Sequence, residues 1–82
     1  GKEKAIIVFN NINKNSVDIE VPLDITATEL VFGLNAAYDL GIDTSDIKNC
    51  YLKAENPIAL LRGNKTLAQY GIRNGSIIYY TE

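Results

Sequence analysis

The sequence predicts an α+β fold, with a mixed five-stranded sheet, one main helix packed across one face and a short 3₁₀ turn. Three observations predict it. Residues 26–40 carry a sustained helical periodicity. Val17 to Val21 alternates apolar and acidic side chains in the manner of a half-buried strand, and short β-branched runs bounded by Asn, Gly and Pro recur on both sides of the helix.

The helix is the best-marked element. Thr26 and Glu29 stand three residues apart, as in a capping box, where the threonine hydroxyl accepts from an early helical amide and the glutamate reaches back. Ala27, Leu30, Val31, Leu34, Ala37 and Tyr38 follow at the spacing that gathers apolar side chains on one stripe, and Gly41 is placed to end the helix in a left-handed conformation.

Ahead of the helix, Lys4 to Phe9 reads as a first strand, Asn10 to Ser16 as a turn, and Val17 to Val21 as a second strand stopped by Pro22. A hairpin pairing Phe9 with Val17 and Ile7 with Ile19 sends Ile7 and Phe9 inward and leaves Ile6 and Val8 on the far face. After the helix, Asp43, Thr44 or Ser45 is suited to cap a short turn, with Ile42 and Ile47 under the helix end. Cys50 to Ala54 is a third strand, Asn56-Pro57 a turn, Ile58 to Leu61 a fourth strand, and Thr66 to Tyr70 one 3₁₀ turn released at Gly71. Asn74-Gly75 then leads into a last strand, Ser76 to Thr81. A hairpin, a helix crossing one sheet face and a final strand beside the first make the β-grasp arrangement. The expected core is Ile7, Phe9, Val17, Ile19, Val21, Leu30, Leu34, Leu52, Leu61, Leu67, Ile72 and Ile78.

Length and composition exclude several functions. Eighty-two residues supply one core, so residues 4–82 are expected to form a single domain, with residues 1–3 a tag remnant or disordered start. Eight Lys and Arg against ten Asp and Glu leave a net charge of −2, with the signs read as interspersed and no basic stripe for nucleic acid. No run approaches the ~20 apolar residues of a membrane span. One cysteine, Cys50, admits no internal disulfide and fits a reducing, cytoplasmic location.

The stretch from Leu61 to Ile78, with its Leu, turn, Thr66-Leu67, Tyr70 and Ile72 before the last strand, resembles the final third of ubiquitin-like domains. The chain as a whole is similar to the YukD/EsaB family of bacterial ubiquitin-like proteins that accompany type VII (ESAT-type) secretion systems. That similarity includes Asp18-Ile19-Glu20-Val21-Pro22, Leu30-Val31, Leu60-Leu61 and Gly75. The resemblance implies a ubiquitin-like β-grasp without ubiquitin chemistry. The chain ends Tyr79-Tyr80-Thr81-Glu82 rather than in Gly-Gly, and Lys53 stands where ubiquitin carries the central isoleucine of its recognition patch. The implied function is non-catalytic: a cytoplasmic accessory or regulatory component of the secretion system, not conjugated to targets. Its partners would be proteins of that system, met at the inner membrane face without insertion, or a second copy in a homodimer. The alternatives are an adaptor domain excised from a larger secretion protein, a modifier or sulfur carrier, and a small enzyme.

No cofactor, metal or catalytic constellation is recognisable. Asp43 and Asp46 suit turn caps better than a cation, and Cys50 lacks a histidine to activate it. Lys53, Arg62 and Lys65 read as solvated charges. Two surfaces are candidates for a partner. Ile6, Val8, Tyr51, Ile77 and Tyr79 share the sheet face away from the helix, where strand propensity alone is the competing explanation. Phe32, Gly33 and Ala36, continued by Leu40, form a thinner stripe on the helix; against it, Leu40 folds under the Ile42 loop and Phe32 is an ordinary surface aromatic.

Overall fold

The computed structural model describes residues 3–11 and 16–80. Gly1 and Lys2 of the expected leading segment, most of the Asn10–Ser16 turn, and Thr81 of the expected last strand lie outside the described residues. The elements are β1 (Lys4–Asn11), β2 (Val17–Pro22), α1 (Ala27–Tyr38), a 3₁₀ turn (Ile47–Asn49), β3 (Leu52–Glu55), β4 (Ala59–Leu61) and β5 (Ile77–Tyr80). They build one sheet in the order β2-β1-β5-β3-β4. β1 pairs antiparallel with β2 in the expected register, Ile7 opposite Ile19 and Phe9 opposite Val17. β5 enters parallel to β1 and antiparallel to β3, so the last strand of the chain is the middle of the sheet.

The helix lies on the face that carries Ile7, Phe9, Leu52, Leu61 and Ile78, and buries Ala27, Leu30, Val31 and Leu34 against it. Each of these apart from Ala27 contributes about 1.5–3 kcal/mol on burial. The Phe9 and Tyr38 rings stand 5.1 Å apart and tilted, closing the core at the helix C-terminus. Of the expected core, Val17 is exposed, because β2 is an edge strand and Val17 is its first residue; Ile19 is half-buried for the same reason. Ala37 is also exposed, since 3.6-residue periodicity carries it to the margin of the apolar stripe while Tyr38 turns back in.

The capping box is present in both directions. Thr26 Oγ1 accepts from the Glu29 N–H at 3.1 Å, and Glu29 Oε1 accepts from the Thr26 N–H at 2.9 Å. The remaining first-turn amides are satisfied from far along the chain. The Ala27 N–H donates to the Lys65 carbonyl at 2.9 Å, and the Thr28 N–H and hydroxyl both donate to the Gly63 carbonyl at 3.1 and 3.0 Å. Residues 66–70 form an ordinary turn rather than a 3₁₀ helix, held by the same device. Thr66 Oγ1 accepts from the Gln69 N–H and Gln69 Oε1 accepts from the Thr66 N–H. The 3₁₀ turn sits instead at Ile47–Asn49, capped by Asp46 rather than by Asp43, Thr44 or Ser45.

At the other helix end, Asp39 rather than Gly41 takes the left-handed cap, with φ 53° and ψ 54°. Gly41 follows at φ 77°. These two positions fold Leu40 and Ile42 inward, and the Asn35 carboxamide pins the exit by accepting from the Ile42 N–H and donating to the Ile42 carbonyl. Ile47, expected under the helix end with Ile42, is 86% exposed because the 3₁₀ turn points it outward. β3 starts at Leu52, not Cys50, since the Cys50 and Tyr51 amides are occupied by carbonyls of the 3₁₀ turn.

Thr26→Ala removes one half of the capping box and is expected to lower stability by about 1 kcal/mol. Asp39→Gly relieves a left-handed non-glycine residue and removes a carboxylate from the negative end of the helix dipole, and should raise stability by about 0.5–1 kcal/mol. Urea unfolding midpoints at unchanged m-value check both.

Candidate functional site

Strand alternation sorts the sheet residues onto two faces, and the face away from the helix is apolar along its centre. Val8 on β1 stands beside Ile77 on β5, and Tyr79 on β5 lies opposite Lys53 on β3. Ile6 is 51% exposed, Val8, Ile77 and Tyr79 are half-buried, and Tyr51, one residue ahead of β3, is exposed. Ile6 and Val8 thus stand on the face away from the core, as the hairpin register requires. Two further residues join them. Leu60 pairs with Lys53 and so points the same way, and Ile58, 90% exposed in the β3–β4 turn, lines a depression with Ile77 and Tyr79. The alternation that sends Leu61 inward already contains this signal for Leu60 and Ile58.

Tyr79 separates that depression from a second one of about 310 Å³, bordered by Ile42, Asn49, Tyr51, Lys53 and Tyr80. The charged groups at its rim are Lys53 and Asp43. The Ser45 hydroxyl donates to Asp43 Oδ1 at 2.6 Å and the Ser45 N–H at 3.0 Å, which holds the Asp43 carboxyl below its usual range. Asp46 Oδ1 accepts from the Lys48 N–H at 3.0 Å. Each carboxylate of the Asp43/Asp46 pair is therefore occupied by its own turn. Lys65 is exposed, as read from the sequence, and also lies 4.6 Å from the centroid of the Tyr70 ring, a cation–π contact.

The helix stripe divides. Phe32 is 46% exposed, with Gly33 and Ala36 exposed beside it, and a side chain added at Gly33 would meet nothing within 4 Å. Leu40 leaves the stripe and is buried with Ile42. What remains is one aromatic ring flanked by small residues.

The charges are not interspersed, contrary to the expectation from their near-balance. Residues 16–46 hold seven carboxylates and neither Lys nor Arg, whereas residues 47–80 hold five Lys and Arg and a single carboxylate, Glu55. The sheet order sets β2 and β4 at opposite edges. On the outer face this gives an edge bearing Asp18 and Glu20, an apolar centre, and a far side bearing Lys53, Glu55 and, past β4, Arg62. Lys4 reaches Glu20 at 4.0 Å across the first edge.

Comparison with known proteins follows the fold. A family model described as WXG100 protein secretion system (Wss), protein YukD, matches residues 7–79. The C-terminal ubiquitin-like domain of mouse tubulin-specific chaperone e superposes with a TM-score of 0.70 at 13% identity, covering 95% of this chain and 84% of that one. The UBL domain of Plasmodium falciparum Dsk2 gives 0.61 at 15% identity over 96% and 100% of the two chains, and a designed protein based on ubiquitin gives 0.64 at 20% over 96% and 88%. At these identities the likeness establishes the fold, a ubiquitin-like β-grasp. No protein of curated function matches the sequence.

Cys50 is 5% exposed, and its thiol donates weakly to the Thr44 and Asp46 carbonyls at 3.7 and 3.6 Å. It is part of the core beneath the 3₁₀ turn. A thiol reagent is expected to label it only as fast as the protein unfolds, with the rate rising through the urea transition; rapid labelling in native buffer would show an open, reactive thiol.

Proposed function

The chain belongs to the family of YukD, a protein of the WXG100 secretion system, and from that premise we propose that it is a non-catalytic, cytoplasmic docking module of such a system, serving an accessory or regulatory role. Its work is to hold another protein component against the outer sheet face. The observation that carries this is the apolar centre of that face. Ile6, Val8, Ile77 and Tyr79 occupy the solvent side of two central strands, and Tyr51, Leu60 and Ile58 extend the patch toward the far edge. Contiguous apolar surface of this kind, rimmed by charge, marks interaction sites on soluble domains.

The outer face is preferred over the helix stripe because the burial of Leu40 leaves Phe32 without an apolar neighbour of comparable size. Lys53 beside Tyr79 gives the face a different character from an isoleucine-centred patch, and a partner suited to it brings apolar side chains to the centre and an acidic group toward Lys53. Among the described residues no helix is long and apolar enough to cross a membrane.

The test is capture of the tagged protein from its host, washed natively and under denaturing conditions. Secretion-system proteins are expected in the native wash alone, and a covalently retained target would instead make the protein a modifier. The double variant Ile77→Lys with Tyr79→Lys is expected to remain folded, since both positions lie outside the core, and to lose its partner at least tenfold. Unchanged capture by the folded variant would remove the outer face from consideration.

A further inference from the structure

We propose that the free edge of β2 is a second docking surface, which takes an extended strand of another protein whose side chains alternate between basic and apolar. The inference goes beyond the outer-face reading and does not rest on it.

The hydrogen-bond phase of the first hairpin decides which backbone groups are free. The Leu23 N–H donates to the Glu3 carbonyl at 2.9 Å, and stepping along the register by two makes Val21–Ala5, Ile19–Ile7 and Val17–Phe9 the pairs that exchange hydrogen bonds. Glu20–Ile6 and Asp18–Val8 are then the pairs that do not. The far side of β1 agrees, because the Val8 N–H donates to the Ser76 carbonyl and the Ile6 carbonyl accepts from the Gly75 N–H, both toward β5. Asp18 and Glu20 therefore turn N–H and C=O alike away from the sheet, and no described strand lies beyond β2 to meet them. Pro22, the next residue in this series, has no N–H and closes the site.

The opposite edge offers less. β4 is three residues long, and at its end the Tyr70 hydroxyl accepts from the Arg62 N–H at 3.4 Å and donates to the Arg62 carbonyl at 2.6 Å. β2 runs for six residues with its outward backbone uncovered.

The side chains of β2 state the chemistry of the occupant. An antiparallel strand bonded to Asp18 and Glu20 sets two of its residues, spaced i and i+2, directly opposite them with side chains on the same face, where lysine or arginine meets each carboxylate. The residue between stands opposite Ile19 on the helix side. Ile19 is half-buried there and its neighbour on that side, Val17, is 38% exposed, so an aliphatic side chain suits this position. Lys4 lies 4.0 Å from Glu20 with both side chains exposed, a contact too weak to neutralise the edge. A second copy is the wrong occupant. Antiparallel pairing of β2 with β2 sets carboxylates against carboxylates, so the charge that admits a basic strand also keeps the chain from pairing with itself.

The probe is a short capped peptide of alternating lysine and valine, added to the purified, isotope-labelled protein. In the free protein the Asp18 and Glu20 amides are expected to exchange with solvent at least about tenfold faster than those of Ile19 and Val21, and bound peptide should slow them. Resonance shifts should centre on β2 and leave Ile77 and Tyr79 in place. The same peptide methylated on alternate backbone nitrogens keeps its charge and should lose binding, as should one of alternating glutamate and valine. Glu20→Pro removes an outward N–H without breaking the hairpin ladder, so the variant should fold and lose the peptide, whereas Glu20→Gln keeps the N–H and should weaken binding by a smaller factor. The proposal is overturned by no binding at about 1 mM peptide, by equal binding of the methylated peptide, or by Asp18 and Glu20 amides already protected in the free protein. Shifts centred on Ile77 and Tyr79 instead of β2 also overturn it, and they leave the outer-face assignment standing.

Discussion

The start of the helix is where the two halves of this chain are joined. A helix begins with N–H groups that have no partner inside it, and here those of Ala27 and Thr28 are aimed at carbonyls of Lys65 and Gly63. Thr26 also bridges to Thr66, and the Leu67 and Ala68 amides donate back to Ile25 and Leu23. This lattice delivers Leu67, fully buried, to the underside of the helix and sets the path by which residues 72–76 reach the sheet. Ser76 completes the path. Its buried hydroxyl donates to the Asn56 carbonyl and accepts from the Arg73 N–H, tying the entry of β5 to the β3–β4 turn. Backbone groups left unpaired in such a place cost about 1–3 kcal/mol each, so the two halves are joined by necessity as well as by packing.

With the helix and the 63–67 loop occupying one side, the sheet's other side is left to solvent, and its composition is unusual for that position. Antiparallel sheets with one wet face alternate apolar and polar residues, as β2 does with Asp18 and Glu20. The central pair β1 and β5 do not. The ubiquitin-like fold is shared with proteins under 25% identical, so the fold alone carries no partner; what distinguishes this chain is which side chains it sets on the exposed face.

Local chemistry made much of this legible in the sequence. The Thr26–Glu29 spacing marks the helix start, and the alternation at Val17–Val21 fixes the hairpin register, which in turn places Ile6 and Val8 outside. Where legibility ends, the cause is competition between local signals that only tertiary structure resolves. Gly41 and Asp39 both suit a left-handed cap, and the Asn35–Ile42 bonds decide for Asp39. Ile47 has the composition of a core residue but lies in a turn whose direction is set by the Asp46 cap. Val17 belongs to a strand whose edge position depends on where β5 inserts. The charge segregation was open to view in the residue order, yet its meaning depends on sheet order, which sets β2 and β4 on opposite edges.

The central place of β5 has a consequence for how the chain acquires its structure. β2-β1 and β3-β4 are hairpins that do not pair with each other, and β5, residues 77–80, is the strand that lies between them. Val8 finds its partner Ile77 almost a full chain length away, so closure of the sheet carries a large loop entropy and a high contact order. Until residues 77–80 are in place the two half-sheets have no strand between them, so closure of the sheet depends on the latest of its five strands in chain order.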